Sequence, residues 1–167
     1  MIPIISVVGQ SNSGKTTYLE KLISELKNRG YKVAVIKHHH NDFEIDMPGK
    51  DTWRHTQAGA DTVCLASPAK VAIIRKTDQE LPLDQIASFI DNVDIIITEG
   101  YKQESKPKIE VYRQAAGNQP LGVKPELLAV VSDTLLYQEI PHFPLDDPGA
   151  MAAWLELRVL KTEIAKD

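Results

Sequence analysis

Short, nearly continuous apolar runs recur along the chain, each followed by a polar or glycine-bearing turn. Ile4–Val8, Tyr31–Lys37, Val93–Thr98, Ile109–Tyr112 and Leu127–Val131 have this form, with a last short run near His142–Leu145. Runs without strict alternation suit strands covered on both faces, as in a parallel sheet. Between them lie helical periods. Tyr18, Leu19, Leu22, Ile23 and Leu26 line one face of a helix from Lys15 to Arg29, which Gly30 is suited to end. Leu83, Ile86, Ala87 and Ile90 repeat at i, i+3, i+4 and i+7. Asp147-Pro148 opens a C-terminal helix carrying Met151, Trp154, Leu155, Val159 and Ile164. Asp51 is placed to cap a short helix that Gly59 ends, and Thr62–Ala66 with Val71–Arg75 read as a hairpin turned at Ser67-Pro68. The loops run from His38 to Lys50 and from Ala115 to Lys124. The expectation is a single α/β domain over residues 1–167, with a mainly parallel twisted sheet flanked by helices and a small hairpin extension. In such sheets ligands gather at the carboxyl ends of the strands.

The turn between the first strand and first helix carries the strongest chemistry. It reads G-Q-S-N-S-G-K-T-T from Gly9 to Thr17, the strand, glycine loop, lysine, hydroxyl and helix order of a P-loop. Gly9 and Gly14 let the backbone approach phosphate oxygens, so that successive N–H groups, those of Asn12 and Ser13 included, converge on an anion at a helix N-terminus. Lys15 supplies a mobile charge for the β- and γ-phosphates, Thr16 a hydroxyl for Mg²⁺, and Thr17 faces the α-phosphate side. The motif points to the P-loop NTPase fold.

Such a site needs an acid on a neighbouring strand to position Mg²⁺. Glu99, where the V-D-I-I-I-T strand runs out, is the first candidate for that metal-linked and catalytic role. Asp46 is a second, in a loop it shares with Asp42 and Glu44 and beside Asp51, any of which can simply be solvated. His38 and His40 can point the same way in an extended chain, but adjacent histidines without a spaced third ligand make a poor zinc pattern. Phosphate or cofactor contacts, or simple loop polarity, suit His38–His40 better, and Lys50 and Arg54 add positive charge suited to a second anionic ligand, although exposed basic residues need no ligand to explain them. Asp133, after the L-L-A-V-V strand, stands where a carboxylate can accept from guanine's ring N–H and exocyclic amine, although V-V-S-D lacks the usual Asn-Lys-x-Asp signature.

Composition narrows the reading. Hydrophobic residues make up 43% and charged residues 25% of the 167, and 19 basic against 23 acidic side chains give a net charge of −4. These are values of a globular protein without the basic footprint of a nucleic-acid binder. Cys64 is the only cysteine, which excludes an internal disulfide, and its apolar neighbours predict a buried thiol. The N-terminus lacks a basic leader and no apolar run is long enough to span a bilayer, so a cytoplasmic location with no membrane association is expected.

With these pieces assembled, the sequence resembles the molybdopterin-guanine dinucleotide biosynthesis adaptor family, MobB, within the signal-recognition-particle and Min-like branch of P-loop GTPases. The resemblance rests on G-Q-S-N-S-G-K-T-T, on K-H-H-H-N-D-F-E-I-D-M-P-G-K-D-T-W-R-H-T-Q-A-G-A, and on I-I-I-T-E-G-Y-K; the middle segment is the specific one. It implies a homodimer that binds GTP and Mg²⁺, hydrolyses GTP weakly, and assists the guanylyltransferase MobA in attaching GMP to molybdopterin. It further implies that Lys15, Thr16 and Glu99 hold phosphate and metal, and that the loop with His38, His39, Asp46, Lys50 and Arg54 meets the γ-phosphate, the pterin or the partner. Two other functions fit parts of the pattern: a metallochaperone GTPase using the histidine cluster, and a small-molecule kinase using the His38–Lys50 insert as a lid.

Overall fold

A computed structural model describes residues 2–161, and its contacts divide the chain into two compact units. One comprises the residues up to His38 and those from Ala87 onward; the other is His39–Ile86.

The first unit is built on six strands: β1 (Ile4–Val8), β2 (Val33–Lys37), β5 (Ile95–Glu99), β6 (Lys108–Tyr112), β7 (Leu127–Ser132) and β8 (His142–Phe143). They lie in the order β2-β5-β1-β6-β7-β8, and every pairing is parallel. The long helix α1 (Lys15–Asn28) and the C-terminal α4 (Pro148–Leu155) pack together on one face. Ile5, Val7, Ile95, Ile97, Ile109, Val111, Ala129 and Val131 point from the sheet into a core shared with Leu19, Leu22 and Leu26 of α1 and Met151 and Leu155 of α4. The alternate side chains Ser6, Val8, Ile96, Thr98 and Val130 are buried too, with Thr98 Oγ1 donating to Ser6 Oγ at 2.9 Å. Burial on both faces is why these strands read as continuous apolar runs.

Gly30, at φ +90°, ends α1, and Asp147 Oδ1 caps α4 by accepting from the Ala150 N–H at 2.9 Å, both as the residue types imply. After Leu155 the chain continues as a wide π turn through Leu160, and Val159 packs against the core. Ile164 lies outside the described residues.

The second unit holds α2 (Asp51–Gln57) and an antiparallel hairpin of β3 (Thr62–Ala66) and β4 (Val71–Arg75) in the expected register. Asp51 is the first helical residue and Lys50 occupies the cap position, so Asp51 does not cap the helix. Cys64 is exposed, against the expectation of a buried thiol. The two-stranded sheet buries Val63, while Cys64, one residue on, projects to the opposite face. The short helix α3 (Leu83–Ala87) ends three residues before Ile90, where the Ile90 N–H closes a turn on the Ala87 carbonyl.

Candidate functional site

β1 is the central strand at which the sheet changes direction: the chain passes from it to β2 and β5 on one side and to β6, β7 and β8 on the other. A crevice outside the carboxyl ends of the strands forms at such a point. The loop from Gly9 to Gly14 sits there.

Its glycines are required by contact as well as by conformation. A methyl group at Gly9 would lie 2.3 Å from the Val111 carbonyl oxygen and 2.8 Å from Ser13 Oγ. Gly14 has φ +89° and Asn12 φ +61°, left-handed values that curl the loop inward ahead of α1. Lys15, Thr16 and Thr17 form the first turn of that helix, whose cap residue Gly14 offers no side-chain acceptor to its N–H groups. Ser13 Oγ is buried without a hydrogen-bond partner. The Ser13 N–H donates to the Gln10 carbonyl at 3.3 Å, while the first N–H groups of α1 have no side-chain cap, and an uncapped helix start behind a glycine turn suits an anion.

Lys15 Nζ donates to the Gln10 carbonyl at 2.7 Å, which bends the ammonium back over the loop. Burial lowers its pKa from the ordinary lysine value, Lys102 and Lys37 add to the effect, and Glu99 opposes it. Thr16 Oγ1 donates to Glu99 Oε1 at 2.7 Å, so the two residues assigned to a metal from sequence meet across 83 positions of chain. Glu99 Oε2 also lies 3.6 Å from Lys37 Nζ, its partner in the parallel register of β2 and β5. Two hard oxygen donors beside a cationic loop suit Mg²⁺ carrying phosphate, with part of its water shell retained.

On the other side of β1 lies a cavity of about 600 Å³ lined by Arg113, Ser132, Asp133, Thr134, His142 and Leu145, among others. Asp133 Oδ1 accepts from the Gln114 N–H at 2.8 Å, tying the ends of β6 and β7 together. His142 Nε2 lies 2.8 Å from Ser132 Oγ and 3.1 Å from the Thr134 carbonyl. Asn118 Nδ2 donates to the Ser11 carbonyl at 2.8 Å, drawing the loop after β6 onto the Gly9–Gly14 loop.

Gly9, Asn12, Ser13, Gly14, Lys15, Thr16, Thr17 and Glu99 therefore stand together, with Asp133 two strands from β1. His38, at the end of β2, stacks on Tyr101 with centroids 4.5 Å apart. Tyr101 follows Gly100 in a left-handed turn (φ +55° and +104°) where a methyl at Gly100 would lie 3.1 Å from His38 Cβ. His39, Asp46, Lys50 and Arg54 belong to the second unit. There His39 Nδ1 faces the Asn41 backbone, Asp46 Oδ1 accepts from the Met47 N–H at 2.9 Å, and Arg54 lies 3.9 Å from Asp51 on the surface. Among the described residues no group of three His, Cys, Asp or Glu side chains is gathered for a metal ion. Sequence reasoning passed over Lys37, Lys102, Arg113 and Asn118. Lys37 carried a usable signal, since it ends a strand in register with Glu99, whereas Arg113 lies four residues past the Ile109 level of Glu99 and Asn118 sits in an irregular loop, and neither carried one.

The parallel sheet, its central glycine loop and the Thr16–Glu99 pair define a protein of the P-loop NTPase-like class. The chain belongs to the MobB family: the model of "Molybdopterin guanine dinucleotide synthesis protein B" matches residues 4–133. It is 37% identical over 158 residues to a molybdopterin-guanine dinucleotide biosynthesis adapter protein of Escherichia coli, covering 91% of this chain and 90% of that one. A Haemophilus influenzae protein of the same name is 45% identical over 115 residues, covering 68% of this chain and 65% of its own length. A solved structure of a molybdopterin-guanine biosynthesis protein B superposes with a TM-score of 0.71 at 32% identity, covering 91% of this chain and 97% of that one. The Bacillus subtilis MobB structure gives 0.72 at 26% identity, covering 93% and 97%.

Proposed function

We propose that this chain serves molybdopterin guanine dinucleotide biosynthesis as a nucleotide-dependent adapter: it binds GTP with Mg²⁺, hydrolyses it slowly, and assists the guanylyltransferase MobA. The biosynthetic role follows from family membership and from relatives named as adapter proteins of that synthesis. The observation that carries the nucleotide reading is the 2.7 Å contact of Thr16 with Glu99 beside Lys15, at the mouth of a loop that no Cβ at Gly9 could enter.

In this reading the N–H groups of the Gly9–Gly14 loop and of the start of α1 would hold the phosphate oxygens, Ser13 N–H and Lys15 leaving the Gln10 carbonyl for them, and Thr16 and Glu99 would hold the metal. Mg²⁺, when bound, supplies neutralisation of charge on the phosphates. Partial burial of Lys15 favours this, because an ammonium already removed from water gains more from an anion. Lys37 and Lys102 raise the local positive potential on the same side. Asp133 would read guanine from the cavity that it lines.

His38, His39, Lys50 and Arg54 are proposed to serve a second anionic ligand, molybdopterin, and Asp46 remains a proposed metal contact. Homodimerisation is supported by the hairpin, where Leu65, Val71 and Ile73 are more than 60% exposed and a second copy would remove them from water. A cytoplasmic location is likewise proposed; among the described residues no helix is long and apolar enough to cross a membrane.

The test is a reconstituted guanylyltransferase reaction with molybdopterin and Mg²⁺-GTP. Addition of this protein should raise the yield of the guanine dinucleotide product, and the Lys15→Ala variant should not. Equal stimulation by the variant, or none by the parent, would refute the nucleotide-dependent adapter role.

A further inference from the structure

Arg113 stands immediately after the last residue of β6, on the opposite side of β1 from Glu99 and Lys37. Its guanidinium lies against the phosphate loop: a methyl at Gly14 would be 3.2 Å from Nη2, 3.6 Å from Nε and 3.8 Å from Cζ. The same side chain lines the cavity that Asp133 lines. Two ties hold this part of the chain in place, Gln114 N–H to Asp133 Oδ1 at 2.8 Å and Asn118 Nδ2 to the Ser11 carbonyl at 2.8 Å. Arg113 thus begins from an anchored strand end and reaches the loop that precedes α1.

The strand order assigns its task. Neighbouring strands are about 4.8 Å apart, so β6 stands one spacing and β7 about 10 Å from β1. With the metal and γ-phosphate end marked by Glu99 on β5, and the base end by Asp133 on β7, the nucleotide must cross the end of β6. The ribose separates the base from the α-phosphate, which leaves the α-phosphate at the level of Arg113. A guanidinium can take two phosphate oxygens at once through its planar fork of N–H donors.

We propose that Arg113 is a nucleotide contact that pairs with the α-phosphate and sets the nucleotide's register between the phosphate loop and the base cavity. This rests on the nucleotide reading above. The contact is common to GTP, GDP and GMP, and it is distinct from an arginine acting on the γ-phosphate, which would need a side chain on the Glu99 side of the loop.

Calorimetric titration of the full chain and of Arg113→Gln and Arg113→Lys with GTP and GDP in Mg²⁺, and with GMP and guanosine, tests it. Arg113 is exposed, and the variants should melt with the parent. Arg113→Gln should weaken GTP and GDP by the same factor, about tenfold or more for a lost charged hydrogen bond. It should also shrink the advantage of GMP over guanosine by a similar factor, and Arg113→Lys should restore part of it. Unchanged affinities, a loss confined to GTP, or an equal loss for guanosine would each overturn the α-phosphate assignment. A parent that binds no nucleotide would overturn the reading beneath it, so the two failures are distinguishable.

Discussion

Replacing Gly9 by alanine tests whether the cradle is held by close backbone approach. The added Cβ would stand 2.3 Å from the Val111 carbonyl oxygen, about 1 Å inside the ordinary carbon–oxygen contact of about 3.3 Å. That oxygen belongs to β6, in register with β1 through Val8 and Glu110, so it cannot swing aside as a side chain would. Ser13 Oγ at 2.8 Å blocks the other direction. Overpacking of this kind costs about 1–3 kcal/mol, and an alanine at φ +152° adds about 1 kcal/mol or more. A total of about 2–4 kcal/mol should lower the melting temperature by about 4–16 °C at this chain length. Relief requires β1 and β6 to part by roughly 1 Å, a misplacement that costs about 100-fold at a preorganised site. Gly30→Ala is the control: its φ is +90°, but nothing lies within 4 Å of the added carbon. Gly30→Ala should lose about 1 kcal/mol and keep its GTP affinity. If Gly9→Ala melted with Gly30→Ala and bound GTP like the parent, the close-approach argument would be wrong.

Other variants separate the parts of the site. Glu99→Gln should lose roughly tenfold in the affinity that Mg²⁺ adds to GTP, while the 3.6 Å pairing with Lys37, exposed at its lysine end, contributes about 1 kcal/mol or less to stability; the same enhancement by Mg²⁺ as in the parent would remove Glu99 from the metal site. Asp133→Asn keeps an oxygen for the Gln114 N–H but reverses one hydrogen bond to the base, so preference should move from GTP toward XTP, as competitive binding would show. Burial raises the pKa of Glu110 above the ordinary 4.5, against hydrogen bonds from Leu121 N–H and the Tyr137 hydroxyl. From 4.5 upward to that raised value the unfolded chain releases this proton first, so the group makes stability fall as pH rises through the window. Denaturant titrations of Glu110→Gln across it should show the fall reduced, and an unchanged slope would contradict the assignment.

The parts legible in the sequence are those where one local requirement decides the outcome. Continuous apolar runs announced the parallel strands, Asp147-Pro148 the start of α4, and the spacing of Gly9, Gly14 and Lys15 the tight turn from β1 into α1. Glu99 could be paired with Thr16 because an acid at the end of an apolar strand has few other reasons to be there. Cys64 misled because its neighbours are apolar, yet alternation in a two-stranded sheet turns it outward. Arg113 and Lys102 were not legible as partners of the loop, since their positions depend on strand order, which no local pattern encodes. The division of the chain at His38 was equally silent, because the polar stretch that follows looks like any surface loop.

The most direct measurement is calorimetric titration of Mg²⁺-GTP into the parent chain and into Lys15→Ala. The account predicts saturable binding by the parent and a loss of at least about 100-fold in the variant, since Lys15 supplies the charge that faces the β- and γ-phosphates. The same affinity in both proteins would contradict the claim that this loop is a nucleotide site.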